Sequence, residues 1–161
     1  MATKDDSWRG KIGSMSAAEK LAFVAGPTLT RLGCLDEAGW PYVVPVWHEF
    51  QDGGYYFVPR ARALWAKYLK ADPRASLCID EWDGMRKVLV KGRAEIAEEP
   101  NVGGKWVGIA RSMSLRYLGP HGPDYIEPTM GEPRWLIFVR PIETRTWQGV
   151  DWPKRYKHKN W

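Results

Sequence analysis

The residues best placed for chemistry sit around position 60. Arg60 and Arg62 stand two apart at the start of a helical pattern over 61–71, and Lys67 lies further along it. No Ser, Thr, Asp or Asn stands at the cap, so the first amides of that helix lack a side-chain acceptor. Two arginines at the positive end of the helix dipole are unfavourable unless an anion joins them. Orphan amides plus two guanidinium groups suit a phosphate. The alternative is that both arginines point into water, with solvent capping the amides. Lys67 could reach the same anion or be solvated.

A second oddity lies upstream, in Trp40-Pro-Tyr-Val-Val-Pro-Val-Trp-His48. Pro41 and Pro45, four apart, interrupt an otherwise β-prone run. Proline cannot donate to a ladder. The backbone groups of Val44, Val46 and Trp47 could then bond something other than a strand. The alternative is a plain edge strand whose prolines block aggregation. His48 alternates with Val46 and Val44 on one strand face. It reads as a hydrogen-bonded core residue, with a general base as the sharper alternative.

Other chemistries find no support. His48, His121 and His158 lie far apart and have no carboxylate or Cys at ligand spacing, so no metal site is expected. Nucleophile-elbow, Walker and dinucleotide-binding patterns do not occur. If the protein is an enzyme, the hard chemistry belongs to a cofactor.

These residues must be positioned by a sheet. Runs at Thr30–Leu35, Trp40–Phe50 and Tyr55–Val58 are separated by Asp36-Glu-Ala-Gly39 and Gln51-Asp-Gly-Gly54, which are hairpin signals. A helix over 61–71, with Leu64, Trp65, Tyr68 and Leu69 as its stripe, leads to a strand at Ala75–Asp80. Arg86–Ala97 alternates small or apolar residues with charged ones. A helix over about 102–118, ended by Gly119, presents Val102, Trp106, Ile109, Met113 and Tyr117 inward. One turn is expected near Asp124–Glu127. Trp135–Arg140 and Glu143–Gln148 read as two strands broken by Pro141. Upstream, Ser14 or Ser16 can cap a helix whose apolar face is Leu21, Val24 and Ala25, with Glu19 in the capping-box position relative to Ser16. Short turns between consecutive strands predict a mainly β (α+β) protein, a closed or half-closed antiparallel barrel with flanking helices.

The chain has 161 residues, ten of them Trp, and a net charge of +5. That length predicts one domain with a real core. The charge favours anionic partners without arguing for nucleic acid. No apolar run approaches membrane-spanning length and the N-terminus is not signal-like, so a cytoplasmic protein is expected. Cys34 and Cys78 read as buried thiols. Residues 1–13 read as a mobile arm. Residues 150–161 read as a tail in which Trp152, Tyr156 and Trp161 interleave with Lys154, Arg155, Lys157 and Lys159.

The segment Arg31-Leu-Gly-Cys-Leu-Asp-Glu-Ala-Gly-Trp-Pro-Tyr-Val-Val-Pro-Val-Trp47 resembles the flavin-binding split-barrel family of pyridoxamine 5′-phosphate oxidase. So do Tyr56-Phe57, Arg60, Leu69, Asp72-Pro-Arg74 and Val90-Lys-Gly-Arg-Ala-Glu95, in the same order and spacing. The resemblance implies a six-stranded split barrel, a homodimer, and FMN or a deazaflavin at the dimer interface. It would place Val44, Pro45, Val46 and Trp47 along the flavin ring. Val58, Arg60, Arg62, Ala63 and Lys67 would lie near the ribityl chain and phosphate. Lys91 and Gly92 would face the cofactor, and Trp147 would close over the partner subunit's cofactor. Ala63 and Trp65 stand where FMN-binding relatives often have Ser and Lys. The implied function is a flavin- or deazaflavin-dependent oxidoreductase acting on a small substrate. The rivals are a non-catalytic split barrel binding an anionic small molecule or haem, and a basic nucleic-acid binder resting on the aromatics around 147–161.

Overall fold

The computed structural model describes residues 9–151. Most of the basic aromatic tail, and residues 1–8 of the expected arm, lie outside it. In chain order the elements are α1 (Ala17–Val24), β1 (Thr30–Leu35), β2 (Pro41–Val46), β3 (Glu49–Gln51), β4 (Gly54–Phe57), α2 (Leu64–Ala71), β5 (Arg74–Asp80), β6 (Lys87–Asn101), α3 (Trp106–Leu118), α4 (Gly122–Ile126) and β7 (Arg134–Trp147). All seven strands form one sheet in the order β2-β1-β5-β6-β7-β4-β3. Every pairing is antiparallel.

That order forces the sheet to curl. β2 and β3 are its two edges, yet only Trp47 and His48 separate them in sequence. Three residue steps span at most about 11 Å. The two edges must therefore approach each other, which makes a barrel left open along that seam. The expected single strand Trp40–Phe50 is thus two strands on opposite edges, while the two strands expected over 135–148 join into one, so the sheet has seven strands against the six that the resemblance implies. β2 being an edge also accounts for Pro41 and Pro45: a missing donor costs little on an unpaired side.

Local chemistry sets the turns. Asp52 and Gly53 both have positive φ, 56° and 75°, between the paired Gln51 and Gly54. This is a two-residue hairpin whose twist suits the flanking strands. Asp36 Oδ1 accepts from the amides of Ala38 and Trp40, at 2.9 and 2.8 Å, and fixes the β1–β2 turn. Ser16 and Glu19 form the reciprocal capping box of α1. The buried face of α1 is Phe23 and Val24, whereas Leu21 and Ala25 are exposed. Residues of the expected arm are tied down where described: Gly13 exchanges backbone bonds of 3.0 and 2.8 Å with Gln148.

The barrel interior is filled by alternating positions, among them Leu32, Phe57, Leu77, Ile79, Val88 and Ile137. Trp65, Ala66 and Leu69 of α2 and Phe23 and Val24 of α1 close its ends. Leu64, expected in the α2 stripe, is exposed. A smaller cluster of Trp106, Ala110, Ile126 and Leu136 packs α3 and α4 on the outer face of β7. β7 is therefore buried on both faces from Trp135 to Val139. Val102 precedes α3 and is exposed, not part of an inner face. Cys34 is buried and Cys78 half-buried, and both are free thiols. No helix among the described residues is long and apolar enough to cross a membrane.

β7 runs unbroken through Pro141, contrary to the two strands expected there. The register slips by one residue, Lys91 facing Glu143 while Gly92 faces Pro141. This bulge absorbs the proline. A Cβ on Gly92 would lie 2.7 Å from both the Arg140 carbonyl oxygen and Val139 Cγ1, so only glycine fits. Gly92→Val should lower the thermal midpoint by several degrees, corresponding to a loss of about 1–3 kcal/mol. An unchanged melt would show that β6 and β7 do not approach this closely.

Candidate functional site

A cavity of about 360 Å³ opens beside the seam. Val46 at the end of β2 and Trp47 in the link form one wall. The connector from β4 to α2 forms another through Val58, Arg60, Arg62 and Ala63. Met113 of α3, Tyr125 and Ile126 of α4, and Arg134 at the head of β7 complete it. Its lining carries three arginines and no acidic side chain.

The Trp47 wall is held by a buried network. Its ring stacks on Tyr117 with centroids 4.8 Å apart and planes 3° apart. Tyr125 leans on the same indole at 5.5 Å and 51°. Next in sequence, His48 is fully buried. Its Nε2 lies 2.8 Å from the Val24 carbonyl oxygen, which can only accept, so Nε2 carries the proton. Neutral Nδ1 then accepts from the Thr30 hydroxyl at 2.7 Å. The His48 amide donates to the Tyr117 hydroxyl, which donates to the Thr28 carbonyl. Arg116 donates to the His48 carbonyl and pairs with Glu49 at 2.9 Å. Burial, with the Arg116 charge adding to it, pushes the His48 imidazole down to about 4. His48 is the core residue of the two readings. With both ring nitrogens engaged and no exposure, it is not placed as a general base.

The connector is fixed as firmly. The Ala61 amide donates to the Pro133 carbonyl at 2.9 Å, and the Trp135 amide to Pro59 at 3.0 Å. Helix α2 begins at Leu64, three residues later than the pattern suggests, and no side chain caps it. Ala63 is its N-cap. Arg62 is exposed and has no ion pair or hydrogen bond among the described residues. Arg60 is less free than expected, because Nη1 pairs with Glu132 at 2.9 Å. That pair spends part of the charge that an anion would otherwise see.

Of the twelve residues named from the sequence, Val46, Trp47, Val58, Arg60, Arg62 and Ala63 meet on this cavity. The other six do not. Val44 packs against the barrel core and Pro45 is exposed on β2. Lys67 is exposed one turn along α2. Lys91 lies on the outer sheet face, 3.7 Å from Glu143, and lines a shallow cleft with Gly33, Val43, Ser76 and Leu89. Gly92 packs under Arg140. Trp147 stands at the far end of β7 from Arg134, where its indole donates to the Asp151 carbonyl at 2.9 Å. Sequence reasoning missed Arg134, Tyr125 and Glu132. An arginine heading the apolar run Trp135–Val139 was the available signal.

The sequence matches the pyridoxamine 5′-phosphate oxidase family over residues 17–148. The chain belongs to that family. No functionally curated protein matches it. Among solved structures, a conserved hypothetical protein from Mycobacterium tuberculosis is 27% identical with a TM-score of 0.67, over 87% of this chain and 88% of that one. A protein from Mesorhizobium loti described as FAD-binding is 22% identical with a TM-score of 0.61, over 88% and 98%. A haem storage protein from Vibrio cholerae is 15% identical with a TM-score of 0.62, over 81% and 94%. At these last two identities the likeness establishes the fold.

The His48 network predicts an acid-sensitive fold. The unfolded imidazole titrates near 6.5 and the folded one near 4, so the unfolded state binds more protons between those values. This contribution to stability is complete above about pH 6.5 and is lost as pH falls towards 4, on the order of 3 kcal/mol in all. Urea unfolding at pH 7.5, 5.5 and 4.5 measures it. His48→Gln should be less stable at pH 7.5 and show a flatter pH dependence. Parallel profiles for the two proteins would assign the pH dependence to other groups.

Proposed function

We propose that this protein binds a flavin-type cofactor, FMN or a deazaflavin, and uses it in an oxidoreductase reaction on a small substrate. The observation that carries this reading is the coincidence of an uncapped α2 N-terminus, an unpartnered Arg62 and an aromatic-walled cavity within one connector. The amides of α2 supply donors, Arg62 with what Glu132 leaves of Arg60 supplies charge, and Trp47 with Val46 supplies a flat apolar edge. The residues fit the group even with Ala63 and Trp65 in place of Ser and Lys. Trp65 is a core residue set edge-on to Phe57 at 6.3 Å, so it contributes packing where a lysine would contribute charge.

The flavin supplies hydride chemistry when bound. The chain's own part is to orient ring and substrate in contact and exclude water. Trp47, held flat by Tyr117, is suited to that task. The haem alternative is weaker at this cavity, because no histidine or cysteine lines it and both His48 nitrogens are engaged. The nucleic-acid alternative rests on a tail almost wholly outside the described residues.

The same reading includes a homodimer. Lys91, Gly92 and Trp147 lie away from the Arg62 cavity within one chain, so only a second copy could bring them to the same cofactor. Val43, Leu89 and Ile142 are exposed around the two neighbouring clefts that Lys91 lines, an apolar surface suited to self-association. Two free thiols fit a reducing compartment, and the reading places the protein in the cytoplasm.

FMN titration followed by absorbance should show saturable binding. Arg62→Ala should weaken it about tenfold or more with an unchanged melt, since one charge-assisted bond is worth roughly 1.5–3 kcal/mol. Arg60→Ala should weaken binding less than Arg62→Ala, because Glu132 already offsets that charge, and should change the melt little, because Glu132 is 45% exposed and stays hydrated. No binding of FMN or a deazaflavin by the wild type would overturn the reading. For the dimer, sedimentation equilibrium should give twice the chain mass, and Val43→Asp should give monomers with weakened FMN binding. A monomeric wild type that retains cofactor would contradict the shared site.

A further inference from the structure

At the Trp147 end of β7 the chain exposes an apolar surface that the cofactor reading does not use. β1 starts there, β5 ends and β6 starts, as the pairs Thr30–Ile79, Asp80–Lys87 and Lys87–Trp147 show. Ile12, Leu21, Leu29, Trp82 and Val150 are all exposed. Trp82 is the extreme case, 87% exposed in the turn between β5 and β6. That turn is firmly held. The Glu81 amide donates to the Arg86 carbonyl at 3.1 Å, and the Met85 amide to the Trp82 carbonyl at 3.2 Å. Gly84 and Met85 take positive φ, 73° and 51°, which for Met85 is a costly conformation.

These side chains share one rim. The Gly149 amide donates to the Gly84 carbonyl at 3.0 Å, and the Val150 amide to the Arg9 carbonyl at 3.0 Å. A Cβ on Gly149 would lie 2.9 Å from the Ile12 Cα, so the Ile12 segment sits directly against it. A cleft of about 430 Å³, lined by Ala22, Leu29 and Glu81 among others, joins α1 to the same turn. α1 and its C-cap turn Ala17, Ala18, Leu21, Ala22 and Ala25 outward, an exposed stripe without a polar side chain. Three acids near the rim, Glu19, Asp80 and Glu81, are paired with Lys11, Arg31 and Arg86. Asp83 stands against Lys20 and Lys87. The excess of charge comes from the sequence beyond Asp151, where Lys154, Arg155, Lys157 and Lys159 alternate with Trp152, Tyr156 and Trp161 and no acid occurs. The described residues end at this rim, so those cations are tethered to it.

We propose that this rim seats on an anionic lipid surface, with Trp82, Leu21 and Leu29 entering the headgroup region and the basic tail supplying the attraction. Buried apolar side chains and a cluster of cations are the two signals that together hold a protein on a membrane. Nucleic acid would use the cations but offers nothing to Ile12, Leu21 and Leu29. An apolar protein groove would take the stripe but gains nothing from four cations. No helix among the described residues is long and apolar enough to cross, so the barrel lies on the surface. The rim is separate from the cavity at the seam, and its lipid contact needs no bound flavin.

Flotation of the purified full-length protein with lipid vesicles tests this. Vesicles of phosphatidylcholine with about a third phosphatidylserine should carry the protein, and pure phosphatidylcholine should carry little. Salt at about 0.5 M should weaken binding severalfold. Trp82→Ser combined with Leu21→Ser should weaken it about tenfold with an unchanged melt, because both side chains are exposed. If the double variant does not fold, Trp82→Ser alone is read and should weaken binding about fivefold. Lys154→Glu, Arg155→Glu and Lys157→Glu together should weaken it about tenfold or more. Failure of the wild type to bind anionic vesicles overturns the proposal. So does unchanged binding in the folded serine variant, which would leave the tail acting alone, or unchanged binding in the glutamate variant. Binding to a single-stranded oligonucleotide that is tighter than to vesicles, and lost in the glutamate variant, would assign the tail to nucleic acid and overturn it as well.

Discussion

The structure depends on the two-residue link Trp47-His48. It joins the two edges of one sheet, so the sheet must close around it. Closure there buries an imidazole among the Val24 carbonyl that follows from α1, the Thr30 hydroxyl of β1 and the Tyr117 hydroxyl of α3. A charged imidazole would lack acceptors enough and would face Arg116, so the fold holds the neutral form. The bonds His48 makes tie α1, β1 and α3 to the seam. The neighbouring Trp47 is left with its ring against Tyr117, facing the cavity. Fold and candidate site thus share one constraint: the residue that closes the barrel fixes the residue that walls the pocket.

The second constraint is electrostatic. Three arginines line a cavity that no acid lines, and one of them is offset by Glu132 from outside the lining. Exposed pairs elsewhere, such as Lys70 with Glu99, are matched one to one and contribute little. The cavity is unmatched, beside a helix end without a cap. Self-repulsion of this kind is tolerated where a ligand removes it. Ala63 in place of a hydroxyl makes the backbone amides of α2 carry more of any anion's hydrogen bonding.

Much of this was legible locally. The Asp52-Gly53 turn, the Ser16–Glu19 capping box, the alternation along β6 and the bare start of α2 are all short-range patterns, and the structure keeps them. What sequence could not show depended on distant partners. The run 40–50 reads as one strand until β1 and β4 claim its two halves. Pro141 reads as a break until Gly92 lets β6 accommodate a bulge. Arg60 reads as free until Glu132, 72 residues later, meets it. Arg134 could not be placed because its neighbours, Trp106, Thr129 and Arg60, come from three separate segments. The resemblance named twelve site residues, and one chain gathers half of them. The remainder are spread over β2, α2, the β6–β7 bulge, the outer sheet face and the far end of β7, where a single chain offers no shared pocket.

The central claim is that the cavity at the seam, headed by the α2 N-terminus, receives the cofactor. A ¹⁵N–¹H spectrum recorded through an FMN titration tests it most directly. The account predicts that the amides of Ala63, Leu64 and Trp65 and the Trp47 indole N–H shift first and furthest, with the same apparent affinity. Shifts confined to Gly33, Ser76 and Lys91 on the outer sheet face, with residues 47 and 63–65 unmoved, would contradict it.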